Sequence, residues 1–243
     1  MELKVTAIKP AIKNQHRVNI FVNEKFSFSL DLKQLTDSNL KVGQILNPEQ
    51  LETFKSLSNF GKLYQRTLEY LLSRPHSIQE VRDYLRRKQS KRSAEANFYR
   101  KQLSEPANFT QHKKNKKPAP LISNQDIEQI IAKLISQKYL DDGKFAEYYV
   151  ENRFQKKGIS SRRLRIELIK KGVKQNIIDQ VLSSQDNPRS DAAEIQKIIN
   201  KKRRLGYDDQ KLIQYLVRQG FDYQLAQDSV LEPNFFPEMD SQN

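Results

Sequence analysis

The chain has 243 residues and no cysteine, and its 43 Lys plus Arg against 29 Asp plus Glu give a formal net charge of +14. Without cysteine there can be no disulfide framework, no cysteine-ligated zinc and no thiol nucleophile, which suits a reducing cytoplasm. A hydrophobic content of 37% and a mean hydropathy of −0.80 are low for one compact globule, no apolar run approaches the roughly 18 residues of a membrane span, and the first ten residues hold no signal-peptide core; the charge therefore points to a polyanionic or acidic partner.

Val18, Ile20 and Val22, then Phe26, Phe28 and Leu30, alternate with polar or opposite-face residues about Asn23-Glu24, which predicts a β-hairpin. Leu3, Val5 and Ile8 supply a further strand, and a three-stranded sheet with one apolar face needs a covering helix. Asn47-Pro48-Glu49-Gln50 starts that helix, with Asn as the cap, Pro at the first helical position and Gln reaching back from the third. Leu51, Phe54 and Leu57 are expected to face the sheet, so residues 1–60 read as a small β-rich domain.

From Leu63 onward the period is helical. Leu68, Leu71 and Leu72 form a stripe that stops at Arg74-Pro75, because Pro disfavours helix in the residue before it. Ser77 and Glu80 make a capping-box pair that opens the next helix, with Val81 and Leu85 on its core side. The helix that should complete this unit (61–140) resumes at Ile127, Ile131 and Leu134. Between them, at about 89–122, lies an insertion holding Arg92, Arg100, Lys101, Lys113, Lys114, Lys116 and Lys117 and ending in Pro118-Ala119-Pro120. It reads as a long basic loop with room for a short helix near 94–103.

Asp141 is the expected cap of a helix bearing Phe145, Tyr148 and Tyr149, whose helical spacing marks them as core rather than as a base-stacking platform. The segments that follow repeat at an offset of 48. Residues 158–182 set against 206–230 pair Leu164 with Leu212, Leu168 with Leu216, Gly172 with Gly220, Val173 with Phe221, Ile177 with Leu225 and Leu182 with Val230. Leucines four apart put a stripe on one helix, the glycine ends it in a left-handed conformation, and the next apolar residue begins packing for a second helix. Val81 and Leu85 match Leu164 and Leu168, which makes a third, more divergent copy. The expected architecture is mainly α: an elongated array of three tandem three-helix repeats after the β domain, at 61–140, 141–186 and 187–231, with an acidic tail at 232–243 in which Phe235-Phe236 could dock.

The search for chemistry is mostly negative. His16, His76 and His112 occupy unrelated contexts, Asp141-Asp142 and Asp208-Asp209 sit where helices need caps, and seven glycines leave little room for a phosphate loop. No catalytic residue, metal or cofactor is expected, and an enzyme is not the reading. Basic side chains carry the stronger signal. At about 100° per residue, Leu164 and Leu168 face inward while Arg162, Arg163 and Lys170 fall outside and Arg165 lies on the flank. With Arg153, Lys156, Lys157, Lys171 and Lys174, residues 153–174 hold nine basic residues and one acid, Glu167, a self-repelling excess that marks a binding face. Lys201, Lys202, Arg203 and Arg204 form a second run, which also offsets the dipole at a helix end. Lys113, Lys114, Lys116 and Lys117 are candidates for phosphate contact, although a solubilising loop is the simpler reading.

The segment 139–146 (Tyr-Leu-Asp-Asp-Gly-Lys-Phe-Ala), Gly158-Ile159-Ser160, Leu164-Arg165-Ile166-Glu167-Leu168 and Lys170-Lys171-Gly172-Val173 together resemble the bacterial RecX regulatory proteins. Ser77-Ile78-Gln79-Glu80-Val81 and Arg218-Gln219-Gly220-Phe221 extend the resemblance over about 63–230, and the amino-terminal hairpin looks like the extension of longer members. The insertion departs from the pattern, which has a short turn there. The resemblance implies a cytoplasmic bacterial protein of DNA repair and the SOS response that lodges in the groove of the RecA filament and mostly inhibits its ATPase, strand-exchange and co-protease activities. The implied partners are RecA and single- or double-stranded DNA, bound weakly or within the RecA complex, with no membrane and with the chain as a monomer. On this reading Arg162, Arg163, Arg165 and Lys170, with Lys201 to Arg204, contact RecA or its DNA. The rival is a sequence-nonspecific DNA-binding protein that acts without RecA. Against a base-reading helix, Arg162, Arg163 and Lys170 become Gln210, Lys211 and Arg218 in the next copy.

Overall fold

Asn23 and Glu24 both take positive φ (49° and 65°), the geometry of a two-residue turn whose twist suits the strands it joins, here β2 (Asn14–Val22) and β3 (Lys25–Asp31). The computed structural model describes residues 2–12, 14–104, 122–184 and 189–231, with backbone alone at 99–104. β1 (Leu3–Ala11) pairs antiparallel with β2 on one side and with a short β4 (Ile45–Leu46) on the other, so the sheet has four strands in the order β3-β2-β1-β4, one more than the sequence suggested. The spacing of Leu3, Val5 and Ile8 is irregular because the register shifts between Val5 and Ala7. A second shift lies between Ile20 and Phe21, which pair with Phe28 and Phe26 respectively. The extra residue, Ser27, turns Phe26 away from the face of Phe28 and Leu30, so Phe26 is exposed and meets Phe21 edge-on, against the expectation that all three phenylalanine and leucine positions share the core.

Helix α1 (Leu32–Ser38), which strand alternation did not suggest, is opened by a reciprocal cap between Asp31 and Gln34. The Asn47 and Gln50 cap forms as expected and starts α2 (Pro48–Leu71). Leu51, Phe54 and Leu57 pack on the sheet core of Val5, Ile20, Phe28 and Leu30, with Phe54 stacked on Phe28. α2 runs unbroken through residue 60. Its buried positions beyond that are Gly61, Leu63 and Thr67, whereas Leu72 of the expected stripe is exposed. α3 (Ile78–Ser104) also continues well past residue 89, so the first part of the insertion is helix rather than loop. The Gln89 side-chain amide donates to the Ile122 carbonyl (2.9 Å) and to Asn124 Oδ1 (3.0 Å), just ahead of α4 (Asn124–Ser136), which buries Ile127, Ile130, Ile131 and Leu134. Lys113, Lys114, Lys116, Lys117 and the tail with Phe235-Phe236 lie outside the described residues.

The chain forms two units, Met1–Ser73 with Tyr84–Ser136, and Arg74–Asp83 with Gln137–Asn243. The second contains α5 (Asp142–Asn152), α6 (Ser161–Lys170), α7 (Gln175–Ser183), α8 (Asp191–Arg203), α9 (Asp209–Arg218) and α10 (Tyr223–Leu231). α5 to α7 enclose Phe145, Val150, Leu164, Leu168, Val173 and Ile178; α8 to α10 enclose Ile195, Ile199, Leu212, Leu216, Phe221 and Ala226. Of the positions that repeat at offset 48, Leu164 and Leu212, Leu168 and Leu216, and Val173 and Phe221 are interior in both copies, whereas Ile177, Leu182 and Leu225 are partly buried. Gly172 (φ 79°) and Gly220 (φ 93°) end α6 and α9 in the same way, with the following amide reaching back to Leu168 (3.1 Å) or Leu216 (3.2 Å).

Candidate interaction surface

Ser160 caps α6 by accepting the Arg163 N–H, and Leu164 and Leu168 then face inward. The opposite side holds Arg162, Ile166, Ile169 and Lys170. Ile166 and Ile169 are 46% and 50% exposed, so this outer face is mixed basic and apolar rather than purely basic.

Two of the expected contact residues are structural. Within the second unit the Ser160 hydroxyl donates to the Gln219 carbonyl (2.8 Å), the Ser161 N–H donates to Asp191 (2.8 Å), and Arg163 donates to the Gln219 side chain (2.6 Å). The same joint recurs at the start of α3: Ser77 donates to the Lys171 carbonyl (2.7 Å), the Ile78 N–H to Asp142 (2.8 Å), and Lys171 to Glu80 (2.7 Å). A helix start thereby satisfies its orphan N–H group on the next copy's acid, while its cap serine satisfies an orphan carbonyl of the next copy's middle helix. Ser77 accepts the Glu80 N–H as a cap, but the Glu80 carboxylate does not reach back; it pairs with Arg74 and Lys171, so the expected box is half formed. Asp142, likewise, is buried and serves the start of α3, leaving Asp141 as the cap of α5. Burial pushes the Asp142 carboxyl up from its ordinary value.

Arg153 donates to Glu167 (2.7 Å), which also accepts from Tyr149 (2.7 Å) and pairs with Arg163 (3.4 Å). Burial raises the Glu167 carboxyl, but the hydrogen bonds from Arg153 and Tyr149 outweigh it and hold the group below the usual range. Tyr149 is pushed up to about 12, by burial and then by Glu167. Arg153, Lys157 and Arg163 converge on the Phe154 ring at 3.8, 5.6 and 5.8 Å. Arg165 is paired with Asp179, Arg203 with Asp209 (3.3 Å), and Lys202 lies over Tyr207 (4.6 Å) and Tyr215 (4.3 Å). Of the expected contact residues, Arg162, Lys170, Lys201 and Arg204 are exposed with neither an ion pair nor a ring contact among the described residues, and Lys156 and Lys174 of the same stretch are likewise exposed and without an ion pair.

Arg189 carries no sequence signal, since it sits in a polar linker. It is buried, pairs with Glu194 (2.6 Å) and donates to the carbonyls of Val150 (2.8 Å) and Arg153 at the end of α5. Glu194 in turn accepts the Ile159 N–H (3.0 Å), and although burial raises its carboxyl, Arg189 and Lys197 hold it low. A cleft of about 390 Å³ in the same unit is lined by Arg74, Glu80, Tyr148, Tyr149, Asn152, Arg153 and Lys171; Arg74 and Lys171 there already pair with Glu80. Phe145 is buried and Tyr149 packs partly against the same core, as expected, whereas Tyr148 is half-buried on the lining of this cleft. Among the described residues, no group of three or more His, Asp or Glu is placed to hold a metal ion, and no helix is long and apolar enough to cross a membrane.

A small sheet with its helix, followed by helical units that share interior positions and differ in their outer faces, defines a helical-repeat protein with an amino-terminal sheet. Two stretches match models of one family of regulatory proteins: residues 3–47 match the regulatory protein RecX N-terminal domain, and residues 141–182 match the RecX second three-helix domain. It is 29% identical to the regulatory protein RecX of Listeria monocytogenes serovar 1/2a over 236 residues, 95% of this chain and 76% of that one. The regulatory protein RecX of Bacillus pumilus is also 29% identical, over 94% of this chain and 76% of its own. A crystal structure of regulatory protein RecX has a similar fold, with a TM-score of 0.64 over 92% of this chain and 96% of that one at 23% identity.

Proposed function

We propose that the chain binds the RecA filament in a bacterial cytoplasm and restrains it, lowering its ATPase, strand-exchange and co-protease activities. We place the contact on the outer face of α6, within a working division into 1–60, 61–140, 141–186, 187–231 and a tail at 232–243. The observation that carries this reading is the company kept by the unpaired cations. Arg162 and Lys170 flank the half-exposed Ile166 and Ile169, and Arg beside apolar side chains suits the desolvated centre of a protein interface better than a phosphate backbone alone. Lys201 and Arg204 then serve DNA held within the complex. The similarity to regulatory proteins RecX agrees with action through binding.

The test is single-strand-dependent ATP hydrolysis by the cognate RecA with this chain added well below stoichiometric amounts. Wild type should suppress hydrolysis. Arg162→Glu/Lys170→Glu should need about tenfold more protein for the same effect, or about 1.4 kcal/mol. Arg163 is left intact because it belongs to a joint. A wild type without effect on RecA that instead binds duplex DNA tightly and salt-sensitively on its own would overturn the reading in favour of direct DNA binding.

A further inference from the structure

Two irregularities of the sheet converge on one row of its outer face. Alternation from Leu3 and Val5 would send Ala7 and Lys9 into the core, but the register shift at Thr6 turns both outward and brings Ile8 against the core instead. The shift at Ser27 does the same for Phe26 on β3. Both meet at Phe21, which pairs with Ala7 on one side and with Phe26 on the other, so an alanine and two rings form a row about 10 Å wide across three strands. Phe26 is 56% exposed, and its ring is held edge-on to Phe21 with centroids 6.1 Å apart.

Cations frame this row. Lys9 is exposed, its ammonium lies 5.6 Å from the Phe21 centroid, and its cross-strand partner is Asn19. Lys4, also exposed and paired with Ile45 of β4, lies on the same face about 15 Å away along β1; strict alternation would place positions five apart on opposite faces. Asp31, the carboxylate that the register puts on this face, stands across from Arg17 at an end that is closed, since Arg17 and Ser29 are buried. A bulge that turns a phenylalanine toward water gives up the burial of that ring, so within the sheet alone the arrangement is unfavourable. A molecule that covers the ring restores the loss.

We propose that the outer face of this sheet is a stacking platform for an unpaired nucleic-acid strand, with a base on Phe26 and the sugar-phosphate chain beside Lys9 and Lys4. The apolar row is only two rings and an alanine, bordered by Lys9 and Asn19 on one side and by Lys4 with Ile45 on the other. That is too narrow for the desolvated centre of a protein interface, yet it matches the flat face of a base next to its phosphate. Phenylalanine has no group that reads a base edge, so the binding is tolerant of sequence. The platform goes beyond the RecA reading and does not depend on it, since it uses no residue of α6 or α8.

The experiment uses the full chain without RecA. A labelled oligothymidylate, the same strand carrying one 2-aminopurine, and an abasic strand of equal length are titrated, with affinity and the quenching of 2-aminopurine fluorescence as readouts. Phe26→Ala should lose about tenfold in affinity for the oligothymidylate, abolish most of the quenching and bind the abasic strand as wild type does. Phe26→Trp should retain both binding and quenching. Leu72→Ala, which removes an exposed apolar side chain elsewhere in the same unit, should leave them unchanged. Lys4→Gln/Lys9→Gln should lower the slope of log K against log salt by about 1.4, or 0.7 for each lost contact. Because Phe26 is exposed, Phe26→Ala should melt within about 5 °C of wild type, which separates lost binding from lost folding. The proposal is overturned if wild type does not bind the oligothymidylate, if it binds the abasic strand equally well, or if Phe26→Ala keeps its affinity. It is overturned too if the chain sediments as a dimer that Phe26→Ala dissociates, which would make the face a contact between two copies.

Discussion

Arg189 shows how much one side chain can hold together. Its guanidinium, 5% exposed, neutralises Glu194 and covers carbonyls left over at the end of α5, so it secures both a buried charge and a helix terminus. Truncation would leave the buried Glu194 with only Lys197 and the Ile159 N–H as partners. Arg189→Ala should therefore lower unfolding free energy by about 3–5 kcal/mol, read from urea denaturation, and a loss below about 1 kcal/mol would show that the pair is dispensable. The same scale separates cations of one type by role. Arg162 and Arg163 are adjacent in sequence, yet Arg163 pairs with Glu167 and Gln219 whereas Arg162 has no ion-pair partner among the described residues. Periodicity placed both outside the core correctly; it carried no information about which of them Glu167 and Gln219 would occupy.

At the scale of elements, the recurrent joint explains why a glycine ends the middle helix. The positive φ of Gly172 favours glycine, but a Cβ there would also lie 2.5 Å from Gln79 Cβ, so the residue permits close approach as well as the turn. Gly206 (φ 76°) has open space around it and isolates the backbone contribution. Gly206→Ala should cost about 1 kcal/mol and Gly172→Ala clearly more, by thermal or urea denaturation; equal costs would mean that the joint yields freely. The elements themselves were largely readable in advance. The hairpin turn, the Asn47, Asp141 and Asp208 caps and the paired glycine ends all depend on neighbours within a few residues. Phe26 was misplaced because a bulge is one extra residue that alternation does not announce. The length of α3 was missed because residues 90–98 bury no side chain and so carry no apolar stripe.

Over the whole molecule 29 carboxylates stand against 43 Lys and Arg, and several of them are engaged in buried or half-buried pairs. Burial raises Glu80, Glu167 and Glu194, but hydrogen bonds from Arg74 and Lys171, from Arg153 and Tyr149, and from Arg189 and Lys197 more than reverse it, so all three sit below the ordinary 4.5. A carboxyl depressed by folding binds its proton more readily in the unfolded chain, so its stabilisation is present above the unfolded value and is lost as pH falls through the folded one. Asp142, raised from 3.8 by burial, acts in the opposite sense and offsets part of that loss. His76, which burial holds below the ordinary 6.5, makes the urea midpoint slip already between about pH 7 and pH 5, and the carboxyls steepen the fall below about pH 4.5, with Glu167→Gln flattening that second part. A midpoint that climbed on acidification would mean that the buried Asp142 dominates.

Local patterning alone settled the helical character, the offset of 48, the interior leucines and most caps, since each follows from the pitch of a helix or from hydrogen bonds a few residues long. Only folding settled the joints and the fate of the charges. Ser77 meets Lys171 across 94 residues, and Lys171 meets Glu80 across 91. Neutralisation depends on distance in space, and the chain separates these partners too widely for any local period to register them.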